Sequence, residues 1–299
     1  MRMLDAMHCL KLVTSGLLVW GLVPVHAGPV LDRIAKGGNL VIGHRDSSVP
    51  FSYLDGNGKP IGYAMDLCQS IAEAVRKKTG NKTMKVEMVP VTSANRIQMV
   101  ADGNVDLECG STTNNAERRA KVAFAMPHFI TGARLMVRAD SKIERLEDLE
   151  GKTLVSTKGS TPLKAVNAAN SDRLLKIKIV EAPDHQKAVE MVESGAADAF
   201  AMDDVLLFGL RAARPKPEAL KIVGKFMTTE ALAIAIPKND PELKKIADDT
   251  LREMIYSKQM DAVYTKWFKA PIPPNNTALN LPVSYLLKEY WQFPTDQVP

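Results

Sequence analysis

The chain has 299 residues, of which 45% are hydrophobic and 24% charged, and its formal net charge is +5. This length is generous for a single hydrophobic core and suits two lobes. The mild positive excess includes no long basic block, and its densest run, Arg76-Lys77-Lys78, falls at a predicted helix end, so nucleic-acid binding is not indicated.

The first 27 residues have the pattern of a secretory signal. Basic Arg2 and Lys11 precede an apolar stretch over 12–25, and a small residue, Ala27, stands at the expected cleavage point. We predict cleavage near Ala27 and a mature protein in the periplasm. An uncleaved anchor is the alternative, but the apolar run is short for a membrane span of about 20 residues.

Short apolar runs alternate with helical patterns along the rest of the chain. A helix is predicted over 63–79, because Leu67, Ile71 and Val75 share one stripe and Gly80 suits a helix stop. Strands are predicted over 39–43, 85–91, 105–110, 153–157, 177–182 and 197–202. This alternation indicates an α/β fold in which mostly parallel sheets are flanked by helices.

An internal repeat supports two lobes of similar build. The stretch MVADGNVD begins at Met99 and the stretch MVESGAAD begins at Met191, and both follow the pattern Met-Val-x-x-Gly-x-x-Asp. Each ends a helical pattern and leads through a glycine turn into a strand, as two similar lobes would require. A chance match is the alternative.

Two extended patterns, over 129–139 and 224–238, suit chain crossings between the lobes. We therefore expect a discontinuous first lobe over 28–130 and 226–299, and a second lobe over 131–225. Two crossings imply a hinge and a cleft between the lobes.

Two cysteines, Cys68 and Cys109, remain after removal of the signal. An oxidising compartment permits a disulfide between them, and two buried free thiols are the alternative. The sequence has no CxxC, no HExxH and no clustered His/Cys spacing. We therefore expect neither a metal nor a cofactor.

Polar residues follow the predicted strands, at the sheet edge where open parallel sheets bind ligands. Arginines, hydroxyl groups and helix N-termini together suit an anion, and a nearby aspartate suits an ammonium group. A small zwitterion with a second carboxylate would satisfy both. In chain order these residues are Arg45, Ser47, Thr92, Ser93, Arg96, Ser111, Thr113, Ser160, Thr161, His185, Asp203 and Asp204.

Each of these residues also has an ordinary structural explanation. Ser93, Ser111 and Thr161 suit helix caps, and Asp203 suits the cap of the helix that follows it. The arginines suit surface ion pairs, and His185 suits a first helical turn. The joint placement at one sheet edge is what favours a binding site.

The chain resembles the periplasmic solute-binding proteins of polar amino acid ABC transporters, and among them the glutamate/aspartate-binding branch. The matching stretches are GHRDSSVPFSY, VTSANRIQMV, DLECGSTTNNAER, DHQKAVEMVESGAADAFAMDD and KWFKAPIPPNN, which together run over 43–276. This resemblance implies the two-lobed type II binding-protein fold, a monomer, and a membrane permease as partner.

The resemblance also implies a role for each site residue. Arg118 would bind the α-carboxylate of the ligand, helped by the hydroxyl and amide groups of Ser111, Thr113 and Thr161. Asp203 would receive the α-ammonium group. The side-chain carboxylate of glutamate or aspartate would be held by Arg45, Ser93, Arg96 and His185.

Two other functions remain open from the sequence. A periplasmic enzyme of the same fold, similar to a cyclic-acid dehydratase, would use His185 or Glu108 as its acid or base. An amino-acid-sensing module would use the same pocket and differ only in its partner. The arginine-rich set favours binding without catalysis, so we expect no enzyme.

Overall fold

The computed structural model describes residues 28–298, and the predicted signal over 1–27 lies outside the described residues. Within this range, none of the helices has the length and apolar character needed to cross a membrane. The helix predicted over 63–79 is confirmed with the same bounds, and Gly80 ends it in the left-handed conformation.

The strands are short, and the predicted ones are present with shifts of at most two residues at their ends. The largest difference is at 105–110, where only Leu107–Glu108 is paired as a strand. In chain order the strands are β1 (Leu40–His44), β2 (Ser47–Ser48), β3 (Ser52–Leu54), β4 (Pro60–Ile61), β5 (Val86–Pro90), β6 (Leu107–Glu108), β7 (Ala123–Phe124), β8 (Phe129–Thr131), β9 (Ala133–Arg138), β10 (Thr153–Thr157), β11 (Lys178–Ala182), β12 (Ala199–Asp203), β13 (Leu220–Val223), β14 (Glu230–Leu232), β15 (Ala235–Ile236), β16 (Pro271–Ile272) and β17 (Thr277–Ala278).

Helices connect these strands and cover the sheets. In chain order the α-helices are α1 (Pro29–Ala35), α2 (Tyr63–Thr79), α3 (Arg96–Ala101), α4 (Ala116–Arg119), α5 (Thr161–Asp172), α6 (His185–Glu193), α7 (Asp204–Ala212), α8 (Pro241–Tyr256), α9 (Gln259–Tyr264) and α10 (Tyr285–Gln292). Short 3-10 turns span Leu146–Leu149 and Pro217–Ala219, and a π-helical turn spans Thr265–Lys269.

Two five-stranded sheets of the same design form the framework. The first has the order β5-β1-β6-β15-β7 and the second has the order β11-β10-β12-β9-β13. In each, the first three strands are parallel, and the last two are joined by antiparallel pairing. Each sheet therefore has a parallel half whose strand ends lead into helices.

The repeated Met-Val-x-x-Gly-x-x-Asp pattern has the same role in both sheets. Its aspartates are Asp106, just before β6, and Asp198, just before β12. Asp106 accepts a hydrogen bond from the backbone N–H of Val41 at 2.8 Å, and Asp198 accepts one from Thr153 at 2.9 Å. Each carboxylate therefore ties the third strand of its sheet to the start of the central parallel strand.

The chain passes between the sheets along a two-stranded ribbon formed by β8 and β14. These strands pair antiparallel, with Thr131 opposite Glu230 and Phe129 opposite Leu232. β8 leads into β9 of the second sheet, and β14 leads into β15 of the first. Both segments predicted as crossings contain one strand of this ribbon, whereas the lobe boundaries at 130/131 and 225/226 stay predictions.

A disulfide joins Cys68 of α2 to Cys109, the residue after β6, and closes a loop with a sequence separation of 41. Both cysteines are fully buried in the main hydrophobic core. The bond therefore fixes the end of β6, from which several polar residues of the predicted site continue.

Replacing Cys68 and Cys109 together by alanine should lower the free energy of unfolding by about 4 kcal/mol, because the unfolded chain regains the freedom that a loop of this length loses. Denaturant unfolding of the oxidised protein and of the double variant measures the difference. Each single alanine variant is the control, since it also lacks the bond. Equal stability of wild type and variants would contradict the assignment.

Candidate functional site

The predicted polar residues lie where strands of the two sheets end and helices begin. The first sheet carries Arg45 after β1, Ser93 and Arg96 after β5, and Ser111, Thr113 and Arg118 after β6. The second sheet carries Thr161 after β10, His185 after β11, and Asp203 at the end of β12.

Contacts between these two groups show that they lie directly against each other. The hydroxyl oxygens of Thr113 and Thr161 are 2.9 Å apart, and Arg118 donates a hydrogen bond to the carbonyl of Gly159 at 3.2 Å. Gly159 has a φ of +77°, and an added Cβ would lie 2.7 Å from the Ser93 carbonyl oxygen. Only glycine fits this close approach.

Helix capping does not explain the side chains on the second sheet. Ser160 caps α5 and Asp184 caps α6. Thr161 and His185, which directly follow these two residues, are therefore not the capping residues. Asp203 stands at the N-terminus of α7, but its side chain makes no capping hydrogen bond. These three side chains are therefore available for another purpose.

The site residues are buried, yet several of their polar atoms are unpaired. Arg45, Ser93, Arg96, His185 and Asp203 are each at most 4% exposed. The following atoms of these five residues, all in the described part of the chain, have no hydrogen-bond partner: Nη1 of Arg45, Oγ of Ser93, Nε and Nη1 of Arg96, Nε2 of His185 and Oδ1 of Asp203. Unpaired buried polar groups are costly and call for a functional reason.

The arginines are held at an electrostatic cost. Burial, together with repulsion from Arg96, lowers the pKa of the Arg45 guanidinium to about 9. Burial also lowers the pKa of Arg96, and it lowers the pKa of Arg118 to about 10. An anion in contact with these groups would offset that cost, because an opposite charge favours the charged form of each guanidinium.

His185 is arranged as a neutral hydrogen-bonding group. Its Nδ1 lies 2.7 Å from the hydroxyl oxygen of Thr157, and Nε2 is the unpaired atom. Burial lowers the pKa of the imidazole well below its usual range, and the charges of Arg45 and Arg96 add to the shift. With Thr157 donating to Nδ1, the neutral ring would donate from Nε2.

Asp203 is a buried acid, so burial shifts its pKa in the opposite direction from the pKa values of the arginines. Burial raises the pKa of this carboxyl group well above its usual range, and the charge of Glu230 adds to the shift. A cation placed against Asp203 would favour its ionised form. The site therefore offers unpaired donors from the arginines and an unpaired acceptor from Asp203.

The structure also places in the site two carboxylates that the strand-end rule omitted. Glu108, the last residue of β6, is fully buried, 4.0 Å from Nη1 of Arg96, and accepts a hydrogen bond from Thr112 at 2.5 Å. Glu230, the first residue of β14, is 2% exposed. From the sequence, Glu108 is expected only as the acid or base of an enzyme, and Glu230 has no expected role.

These carboxylates correct the expected charge of the site. With Glu108, Glu230 and Asp203 opposite three arginines, the cluster is formally balanced rather than positive. Glu108 interacts with both Arg45 and Arg96. Arg45 also interacts with Asp46 and Asp184, and Arg96 also interacts with Asp203 and Glu230.

Comparison with known proteins identifies relatives over most of the chain. Residues 40–270 match the model of the bacterial extracellular solute-binding proteins, family 3. The chain is similar to a glutamate/aspartate import solute-binding protein of Salmonella typhimurium, with 41% identity over 96% of this chain and 98% of that protein. It is also similar to a protein of the same name from Escherichia coli, with 42% identity over 91% and 90% of the two chains.

A solved structure has the same fold. The crystal structure of an ancestral amino acid-binding protein, described as a precursor of cyclohexadienyl dehydratase, matches with 33% sequence identity and a TM-score of 0.68, covering 80% of this chain and all of that one. The predicted fold class is thereby confirmed. The same likeness also shows that the fold alone does not exclude an enzyme.

Replacing Asp203 by asparagine should stabilise the unliganded protein at pH 7 by about 1 kcal/mol, as removal of a costly functional charge commonly does. Because the folded-state pKa is raised, the cost of Asp203 is full above that pKa, decreases as the pH falls below it, and is absent below the unfolded-state pKa. The advantage of the variant should therefore shrink on acidification.

Denaturant unfolding of wild type and Asp203→Asn at a series of pH values measures this difference. Asp172→Asn, at an exposed position in α5, is the control and should change little. An Asp203→Asn variant that is less stable than wild type at pH 7 would contradict the buried-charge interpretation.

Proposed function

This chain belongs to the bacterial extracellular solute-binding proteins of family 3, and we propose that it captures glutamate or aspartate in the cleft between its two sheets. The observation that supports this ligand most directly is the set of unpaired buried atoms in the site, which comprises donors from Arg45, Ser93, Arg96 and His185 and acceptors from Asp203 and Glu108. A carboxylate and an ammonium group are the partners that these atoms require.

In this proposal the ligand's side-chain carboxylate lies against Arg45 and Arg96. A guanidinium group matches a carboxylate with two parallel hydrogen bonds, and Ser93 and His185 add single donors. A neutral apolar side chain would leave both arginines buried without an anion, at a cost of several kcal/mol. Glutamine would pair with them less well, because its amide carries no charge.

The α-amino acid group of the ligand lies at the other side of the proposed site. Its ammonium group is placed at Asp203, and its carboxylate at Arg118, Ser111, Thr113 and Thr161. Arg118 is oriented by its hydrogen bonds to the carbonyls of Thr113, at 2.8 Å, and Gly159. Because Gly159 lies on the opposite side of the cleft, Arg118 contacts both walls.

The proposed cycle is capture followed by closure. Ligand would meet one wall of the open cleft, the other wall would complete its hydrogen bonds, and the closed protein would be recognised by an ABC transporter permease. The ligand drives closure only through its preference for the closed state. The proposed location is the periplasm, after removal of the signal, and the proposed working form is a monomer.

Calorimetric titration of refolded, ligand-stripped protein tests the proposal. The panel is glutamate, aspartate, glutamine, asparagine and leucine in one buffer, and tight binding is expected for the two dicarboxylates alone. Binding of glutamine alone, or of no member of the panel, would refute the ligand assignment. In that case turnover of a cyclic carboxylate, lost in His185→Ala, would favour the enzyme alternative.

Arg45→Ala and Arg96→Ala should each weaken glutamate binding by about 2 kcal/mol, or roughly thirtyfold, because each removes a charge-assisted hydrogen bond. Glutamine should lose much less. Titration of each variant with both ligands gives the loss of affinity for glutamate relative to the loss for glutamine. Equal losses for the two ligands would mean that neither arginine contacts the side-chain carboxylate.

Arg118→Ala is the matched variant, because it removes a guanidinium from the α-carboxylate end instead. It should weaken glutamate, aspartate and any residual glutamine binding by similar factors of at least tenfold, since all three share that carboxylate. The same titrations provide the measurement. A variant that binds glutamate normally would remove Arg118 from the site.

A further inference from the structure

We propose that Glu230 is a latch that holds the cleft closed by accepting hydrogen bonds from threonine hydroxyls on both of its walls. Thr113 and Thr161 would then hold the ligand's α-carboxylate through their backbone N–H groups and not through their hydroxyls. This inference rests on the proposed function and changes the role assigned to both threonines.

The geometry of Glu230 is that of a three-fold acceptor. Its Oε2 accepts from the hydroxyl of Thr113 at 2.5 Å and from the hydroxyl of Thr161 at 2.7 Å, and its Oε1 accepts from Thr228 at 2.9 Å. Thr113 follows β6 of the first sheet, and Thr161 begins α5 after β10 of the second. One carboxylate oxygen therefore bridges the two walls.

The number of hydroxyl hydrogens shows that the two threonine hydroxyls cannot donate both to Glu230 and to the ligand. A threonine hydroxyl has a single hydrogen to donate, and an ionised carboxylate only accepts. If both hydroxyls donate to Glu230, neither has a hydrogen left for a second carboxylate. The hydroxyl contacts that the resemblance implied for the ligand's α-carboxylate are therefore replaced by contacts to Glu230.

The backbone N–H groups of both threonines remain suited to the ligand. Residues 112–114 run beside β14, with Asn114 N–H donating to Ala231 and Ala233 N–H donating to the carbonyl of Thr112. This alternation turns the N–H of Thr113 away from β14. Thr161 is the first residue of α5, so its N–H has no partner within the helix.

The position of Glu230 connects the latch to the hinge. Glu230 pairs with Thr131 in the β8–β14 ribbon, along which the chain passes from one sheet to the other. Separation of the walls would pull Thr113 and Thr161 apart, so both hydroxyls cannot keep the same oxygen. The bridge therefore exists only in the closed arrangement.

A double-mutant cycle on glutamate affinity tests the latch. Thr161→Val removes the hydroxyl and leaves the backbone N–H, and it should weaken glutamate binding about tenfold, the value of a hydrogen bond to a charged group. In a Glu230→Ala background the same change should cost less than about twofold, because the hydroxyl acts through Glu230. An unchanged tenfold loss in that background would show that the hydroxyl binds the ligand itself and would overturn the proposal.

Kinetics and stability distinguish a latch from a merely structural group. The Thr161→Val loss should lie in the dissociation rate and should be the same factor for glutamate and aspartate, while the unfolding midpoint of the ligand-free protein stays unchanged. Thr250→Val, on α8 with its hydroxyl bonded to the carbonyl of Ile246, is the control and should leave affinity unchanged. A Thr161→Val loss confined to ligand-free stability would also overturn the proposal.

Two further measurements apply if Glu230→Ala does not fold or if the wild type binds neither dicarboxylate. If Glu230→Ala does not fold, Glu230→Gln replaces it, and the Thr161→Val effect should shrink to a few-fold because a neutral acceptor binds a hydroxyl more weakly. If wild type binds neither dicarboxylate, the proposed function fails by itself. The cycle is then run with whichever panel amino acid binds, since the latch acts on closure for any α-amino acid.

Discussion

The burial of three guanidinium groups in one cleft is the constraint that the rest of the site meets. Removing a charge from water costs several kcal/mol even after the surroundings relax, and the lowered pKa values of Arg45, Arg96 and Arg118 reflect that cost. Glu108 and Glu230 offset part of it. The rest of the cost of burying these charges is not offset within the protein. An anion beside Arg45 and Arg96, and a cation beside Asp203, would therefore lower the free energy of the folded protein.

A duplicated scaffold makes this concentration of charge possible. The two sheets share one strand order, and Asp106 and Asp198 fix the corresponding strands with the same backbone hydrogen bond. The parallel strands of each sheet end at the cleft, where loops and helix starts present side chains without interrupting the hydrophobic core. The disulfide at Cys109 holds the end of β6, the strand whose continuation carries Ser111 and Thr113.

The sequence predicts the parts of this structure that local patterns determine. Helix α2 has its predicted bounds because an apolar stripe and Gly80 both define it. The strand predicted over 105–110 is longer than β6, since apolar character extends beyond the residues that pair. Glu108 and Glu230 could not be placed from their neighbours, because each lies within an extended pattern and its partners are set by tertiary packing. Partners distant in sequence, such as Thr113 and Thr161 for Glu230, leave no local signal.

The distribution of charge between the sheets has a kinetic consequence under the proposed function. Arg45, Arg96 and Arg118 all follow strands of the first sheet, whereas the second sheet adds Thr161, His185 and Asp203. A dicarboxylate approaching the open cleft is therefore attracted to the first sheet before it contacts the second. Long-range attraction to these cations governs how often encounters succeed and weakens as salt screens it. The short-range contacts of the second sheet then govern how long the amino acid stays.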